Sequence, residues 1–428
     1  MDILFVTDLY GNEYSANVKI AINVATALSE KGVNCHMICG TAQIRQMTPL
    51  PGVFLHEVQP CTPASYVDRD PLLRIRFARL QSKRFSFIRK LFTLLVHPVR
   101  TARLWRQGAF RKQNAFLPGY ALEYGENIRR LCYQQPIDAI LALYMPQEIL
   151  GTISLVDLPK PVYLYQLDPW GLHQLPLPTP AEQRIREETA AFAKAHHIFT
   201  TPVLLEAYHE LNDYSPFLSK ISAVDFPVMT KSAKSCEPFL FPGSNKGDYI
   251  LLYAGTIADT YRSPSYALQV LRALKGCMPE LHVYFMGINQ SALLTSFVKE
   301  NPSWLFLLPP QPATIAQAAI DSANALINIG NTLSNQMPSK IIDCIASGKP
   351  LLNFIKSNSC PTLRFTRKYS LALNITENKE IAQAANEVSC FLQKTRDCCL
   401  PFEKVSTQFF FATPSYVSEH ILTKIREG

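Results

Sequence analysis

Apolar residues along the chain fall in short dense runs, separated by stretches in which they recur every three or four positions. Residues 3–6 form such a run. Val18, Ile20, Ala21, Val24, Ala25 and Leu28 then follow at helical spacing until Gly32, a stop signal. Residues 33–39 and 53–58 are the next runs. Strand, helix and strand joined by short links predict a parallel sheet with right-handed crossovers. The alternation returns at 137–144 and 161–165, with a helix over Ala181–Lys194 and a strand at 197–201. A second series opens at Tyr249. Its predicted strands are 249–254, 281–286, 305–308, 325–329, 350–354 and 371–375, and predicted helices at 264–274, 314–323, 338–346 and 380–392 separate most of them. Residues 414–426 read as a closing helix.

With 428 residues the chain is too long for one ordinary core. The pattern divides it into an α/β domain at 1–225, a linker at 226–247 rich in Pro, Ser, Lys and Gly, a second α/β domain at 248–412, and the closing helix at 413–428. No repeat of fixed short period is visible.

Charge changes this picture in one place. Between Arg69 and Lys112 there are thirteen Lys or Arg and a single acid, Asp70, an excess larger than the net charge of +8 for the whole chain. Apolar residues such as Phe77, Phe85, Phe87, Ile88, Leu91, Phe92 and Trp105 interleave with the cations. The stretch from 65 to about 130 therefore reads as a basic amphipathic helical insertion. Three readings stay open: a helix lying on an anionic membrane surface, a nucleic-acid contact that no recognised module accompanies, or a solvated helical hairpin capping the first domain. The second is the least expected, so no nucleic-acid partner is predicted.

The first eight residues lack the basic start and long apolar run of a secretory signal, and no apolar stretch nears the ~20 residues needed to span a bilayer. The eleven cysteines are scattered and include no Cys-x-x-Cys pair; buried thiols in a reducing compartment account for them. These features predict a cytoplasmic protein, with a peripheral place on the inner membrane face as one reading of the basic stretch.

Ligands of open parallel sheets bind outside the carboxyl ends of the strands, and two loops of the second half stand out there. The first runs from Gly255 and Thr256 to Arg262, Ser263 and Pro264. Gly255 permits a tight turn, Ser263 suits an N-cap and Pro264 a first helical position. Arg262 beside that helix start suits a diphosphate, or is a solvated neighbour of an ordinary cap. The second loop runs from Asn328 through Asn331 and Asn335 to Met337-Pro338-Ser339-Lys340 and Asp343. Lys340 and Asp343 are three apart and share one side of a helix. They serve phosphate and ribose hydroxyls, or form an ordinary surface pair.

The stretch Tyr253-Ala254-Gly255-Thr256 through Arg262-Ser263-Pro264 resembles the opening of the donor domain in GT-B glycosyltransferases. The stretch from Asn331 through Met337-Pro338-Ser339-Lys340-Ile341-Ile342-Asp343 to Gly348-Lys349-Pro350 is similar to the donor-site signature of the large retaining group acting on bacterial polysaccharides and glycolipids. The resemblance implies an α/β fold of two Rossmann-like domains facing each other across a cleft. It also implies transfer of a sugar from a nucleoside diphosphate sugar to a glycan or lipid-linked acceptor, with retention, and no cofactor or metal. The family carries two carboxylates with seven residues between them. The later corresponds to Asp343, as ribose ligand. The earlier, which contacts the sugar, corresponds to Asn335, an amide in place of an acid. Gly255, Thr256, Arg262, Met337, Pro338, Ser339, Lys340 and Asp343 are thus the implied donor ligands. Tyr10, Gly11 and Asn12 match the family's acceptor loop, without its usual Gly-Gly pair. Asp168, after another strand at the same edge, corresponds to a segment that orients the acceptor, though a turn role fits it equally. Two rival functions remain: a nucleotide-sugar epimerase, and a non-catalytic nucleotide or glycan binder supporting a partner transferase.

Overall fold

The computed structural model describes residues 1–7, 16–39, 51–57, 118–143, 148–177, 179–231 and 237–428. Two compact units emerge: Met1–Val224 with Ser418–Gly428, and Asp225–Val417.

In the first unit the chain runs β1 (Asp2–Val6), α1 (Ala16–Ser29), β2 (Asn34–Cys39), β3 (Val53–Glu57), α2 (Pro118–Gln134), β4 (Ala139–Leu143), α3 (Glu148–Leu155), β5 (Val162–Gln166), α4 (Ala181–Lys194), β6 (His197–Thr200), α5 (Pro202–His209) and β7 (Ile221–Ala223). The seven strands lie in the order β3-β2-β1-β4-β5-β6-β7, every pair parallel. All residues of β1, β4 and β5 are buried, because helices on both faces of a parallel sheet leave no wet side; this is why these strands read as unbroken apolar runs. The basic stretch Arg69 to Lys112 lies outside the described residues. Residues 118–130, at the end of the insertion expected from 65 to about 130, begin α2, whose Tyr124, Ile128 and Leu131 sit in the sheet-packing core.

Residues 418–428 complete this unit. Ile421, Leu422 and Ile425 are buried. His420 Nε2 and His197 Nε2 both meet the Ser222 hydroxyl, at 3.2 and 2.9 Å. Burial lowers the His197 pKa to about 4, helped by the nearby Lys424, His420 and His196 and opposed by Glu427.

The second unit runs β8 (Tyr249–Ala254), β9 (Ile257–Ala258), α6 (Ser265–Cys277), β10 (Leu281–Met286), β11 (Asn289–Gln290), α7 (Ala292–Glu300), β12 (Leu305–Leu308), α8 (Ala313–Ser322), β13 (Ala325–Ile329), α9 (Lys340–Ala346), β14 (Leu351–Ile355), α10 (Leu363–Thr366), β15 (Ala372–Thr376), α11 (Ile381–Lys394) and α12 (Phe402–Gln408), and α13 (Pro414–Glu427) begins in it. Its main sheet has the order β12-β10-β8-β13-β14-β15, again wholly parallel. Ala267, Leu268, Leu271 and Leu274 of α6 and Ala384, Ala385, Val388 and Leu392 of α11 share one apolar cluster with the strands. Small residues on both helices let them approach closely.

A polar ladder crosses this sheet's interior. Asn328, Asn353 and Asn374 stand in register on β13, β14 and β15. Asn328 Nδ2 donates to Asn353 Oδ1 at 2.7 Å, and Asn353 Nδ2 donates to Asn374 Oδ1 at 2.7 Å. Thr362 and Thr366 close the network from α10 and its N-terminal flank. A one-residue slip of any of the three strands would bury unpaired amides, so the ladder fixes register. Among the described residues no helix is long and apolar enough to cross a membrane.

Candidate functional site

The strand order of the second sheet reverses direction at β8: successive connections lead first toward β10 and β12, then return to β13 on the other flank. Such a switch point leaves a crevice outside the carboxyl ends of the two central strands. The loops that border it are 255–264 and 330–339, the two singled out from the sequence.

Loop 255–264 is internally braced. β9 within it pairs with β11 after β10, Ile257 opposite Asn289 and Ala258 opposite Gln290. The loop then doubles back so that Arg262 N donates to Ala258 O at 2.8 Å. Gly255 has no left-handed backbone; the residue that does is Gly287, at φ 137°, where a Cβ would come to 2.1 Å from the Gly255 carbonyl oxygen. The expected tight turn at Gly255 is therefore a close crossing of two loops, with the glycine requirement on Gly287. The helix start also differs from expectation. α6 begins at Ser265, Pro264 occupies the N-cap without a side-chain bond, and Ser263 Oγ accepts only a 3.4 Å contact from Ser265 N. Proline's fixed φ places it as well at the cap as in the first turn.

Arg262 reaches from this loop to the other. Its Nε donates to Asn331 Oδ1 at 2.7 Å and its Nη1 to Thr256 O at 3.1 Å. Thr332 N donates to Tyr261 O at 2.8 Å, a second tie between the loops. Tyr253, whose hydroxyl donates to Thr256 O at 2.8 Å, has its pKa raised by burial, against the effect of the adjacent Arg262. The guanidinium is thus held through Nε and Nη1, and the residue remains partly exposed. Asn331 Nδ2 lies 3.5 Å from Gln336 O, carrying the link onward toward α9.

α9 places Lys340 and Asp343 one turn apart, with Nζ 3.5 Å from Oδ2; the lysine is 53% exposed and the carboxylate 10%. The ammonium itself is half in solvent and 3.5 Å from its partner, so it can turn toward an incoming anion at small cost. The structure draws Arg262, Thr256 and Asn331 into direct contact, and pairs Lys340 with Asp343. Among the described residues no hydrogen bond joins Arg262 to Lys340 directly. Met337, Pro338 and Asn335 are buried, and Ser339 is half-buried at the N-cap of α9, without a side-chain cap bond. Met337 and Pro338 offer a ligand only backbone.

In the first unit Asp168 follows β5 and is half-buried. The loop around it is pinned from α4. Glu188, fully buried, accepts from Gln166 Nε2 at 2.6 Å, from Trp170 N at 3.0 Å and from the Tyr214 hydroxyl. Burial raises the Glu188 pKa, and these donors, with the Gly171 backbone, oppose the rise. Arg184 donates to the carbonyls of Trp170, Thr179 and His173 at 3.0, 2.6 and 3.0 Å. Trp170 is 7% exposed and packs in the core. Tyr10, Gly11 and Asn12 lie outside the described residues.

Sequence reasoning gave no role to Asn331, Lys356, Glu377, Glu188 or Arg184. Lys356 and Glu377 are the first residues after β14 and β15, so position at the ligand-bearing edge was the available signal. No group of three or more His, Cys, Asp or Glu side chains among the described residues is arranged to hold a metal ion. One Asp-x-Asp triplet, Asp68-Arg69-Asp70, does occur in the sequence, outside the described residues.

Two wholly parallel units of this strand order, with helices on their sheets, are the GT-B fold. Solved structures of that fold match over nearly the whole chain. WaaG, a glycosyltransferase involved in lipopolysaccharide biosynthesis, matches at 10% identity and TM-score 0.57, covering 98% of this chain and 99% of its own. Anabaena Alr3699/HepE in complex with UDP and glucose matches at 13% identity and TM-score 0.57, covering 99% of each chain. A putative UDP-N-acetylglucosamine 2-epimerase from Listeria monocytogenes matches at 10% identity and TM-score 0.57, covering 99% and 95%. No protein-family model matches the chain, and no curated protein matches its sequence.

Proposed function

We propose that this protein is a glycosyltransferase that moves a sugar from a nucleoside diphosphate sugar to a glycan or lipid-linked acceptor. The observation that carries the reading is Arg262, locked by Asn331 and Thr256 at the switch point of the second sheet. A guanidinium anchored through Nε and Nη1 holds its remaining N–H donors in a fixed plane, suited to a diphosphate. Lys340 adds a mobile cation, and Asp343 accepts from ribose hydroxyls. The backbone of Gly255 and Thr256 and of Met337, Pro338 and Ser339 lines the same donor position. The side chain of Asn335 hydrogen-bonds the sugar.

In the reaction the bond from the anomeric carbon to the diphosphate oxygen breaks and one to the acceptor oxygen forms, with retention. The acceptor hydroxyl gives its proton to the departing diphosphate oxygen. Arg262 and Lys340 stabilise the charge gathering on the diphosphate, so no metal is needed. Asp168 orients the acceptor, and Tyr10, Gly11 and Asn12 contact it. The basic stretch 69–112 brings the protein to an anionic membrane surface on the cytoplasmic side, where a lipid-linked acceptor resides. The HepE structure with UDP and glucose and the WaaG lipopolysaccharide enzyme support the donor and acceptor classes by likeness of fold.

The test is a thermal-shift panel of nucleotide sugars, followed by mass spectrometry of products with glycan and lipid-linked acceptors. A ligand at a hundred times its Kd adds about 2.7 kcal/mol of stability. Arg262→Ala and Lys340→Ala should each abolish most of that shift. The epimerase match at equal TM-score favours one rival reading: it predicts an altered nucleotide sugar with no acceptor present. Product formed only when acceptor is added sinks that rival, and nucleotide binding without any product sinks both enzymatic readings.

A further inference from the structure

Lys356 leaves the end of β14 and reaches back across the sheet edge. Its Nζ donates to Ser263 O at 2.9 Å and pairs with Glu377, the first residue after β15. The two side chains are only 15% and 18% exposed. Ser263 is the residue directly after Arg262. Two residues beyond Pro264, the Tyr266 hydroxyl donates to Lys379 O at 3.0 Å. The segment carrying Arg262 is thereby clamped from both flanks: Asn331 and Thr332 hold it from the β13 side, Lys356 and Lys379 from the β14–β15 side.

Stability alone does not account for an ammonium here. The start of α6 carries positive partial charge, which repels a cation, and a shielded ion pair recovers little beyond its desolvation cost. What the pair does supply is geometry. Resting on the donor-site reading above, we infer that Lys356 is a positioning residue, which holds the Arg262 guanidinium in its diphosphate-binding orientation through the Ser263 carbonyl. Glu377 is the counter-charge that keeps Lys356 in place.

The full chain is titrated calorimetrically with UDP, GDP and ADP and with the matching monophosphates. The diphosphate that binds is carried to Lys356→Met, Lys356→Arg, Arg262→Ala and the Lys356→Met/Arg262→Ala double variant, each checked for an unchanged unfolding midpoint. Lys356→Met should weaken the diphosphate on the order of tenfold and the monophosphate less. Lys356→Arg should restore most of the loss. The double variant should bind no more weakly than Arg262→Ala alone, because Lys356 acts through Arg262. Wild-type affinity in Lys356→Met, or losses that simply add in the double variant, overturns the inference and leaves the donor site standing. A wild-type protein that binds none of the three diphosphates overturns the donor site, and this inference with it. Should Lys356→Met fail to fold, Glu377→Gln takes its place, with the same expected loss and the same non-additivity.

Discussion

Replacing Gly287 by alanine tests the crossing of loops that frames the candidate site. The residue sits at φ 137°, a region closed to residues with a Cβ, and an added methyl would lie 2.1 Å from Gly255 O and 2.9 Å from Gly255 C. Forcing an L side chain into such a backbone state costs about 1–3 kcal/mol. Neither loop is free to yield, since Gly255 N donates to Met286 O and Ile257 N to Ile288 O, at 2.9 and 3.0 Å. Wedging a methyl between them adds about 1–3 kcal/mol more. The sum, about 2–6 kcal/mol, corresponds to roughly 5–20 °C in unfolding midpoint for a unit of this size. Thermal and urea unfolding by far-UV circular dichroism measures it. Gly276→Ala is the internal control: it lies in α6 without positive φ, a Cβ there meets nothing within 4 Å, and alanine should raise stability by about 0.4–1 kcal/mol. A Gly287→Ala protein as stable as wild type would refute the close crossing, and with it the rigid frame assigned to Arg262.

Asn353→Leu keeps the branching of the side chain but leaves Asn328 Nδ2 without its acceptor and takes a donor from Asn374, Thr362 and Thr366; urea unfolding should show a loss of about 2–4 kcal/mol, and a loss below about 0.5 kcal/mol would mean the ladder is dispensable. Glu188→Ala leaves Gln166, Trp170 N and the Tyr214 hydroxyl without their shared acceptor. A destabilisation of about 3–5 kcal/mol is expected, with faster proteolysis of the loop around Asp168, and an unaltered cleavage pattern would count against the pinning. For His197, whose folded pKa of about 4 lies below the ordinary imidazole value of 6.5, the folded state takes up its proton later than the unfolded chain as pH falls. Its contribution is therefore complete above pH 6.5 and is lost as pH falls from there through 4. His197→Gln should flatten that part of the stability–pH curve, and an unchanged slope would remove His197 as its source.

The central strands were legible almost to the residue, because a strand buried on both faces leaves an apolar run with polar punctuation at each end. Tyr249–Ala254, Leu281–Met286 and Ala325–Ile329 are cases of this. α7 escaped notice: only Leu294 of its residues is buried, so its apolar periodicity is too thin to stand out. The small β9–β11 ladder is two residues long on each side, below any periodic signal. At the site, Arg262, Lys340 and Asp343 were visible as charged residues at loop ends. Asn331 was not, because a carboxamide that fixes a guanidinium has no sequence mark distinguishing it from the other asparagines of its loop. Lys356 and Glu377 stand 21 residues apart and meet only through strand pairing, a relation no local spacing encodes.

The segment 418–428 gives the first unit an unusual dependence on synthesis. Its buried Ile421, Leu422 and Ile425 reach the ribosome exit only after the whole of the second unit has been made. At about 5–20 residues per second, the nascent amino-terminal sheet waits on the order of ten seconds or more for its last covering, with the docking surface around Ser222 and His197 bare meanwhile. Completion of the earlier-made lobe is thus postponed until the later one has been synthesised, and any premature stop within the later lobe leaves both unfinished.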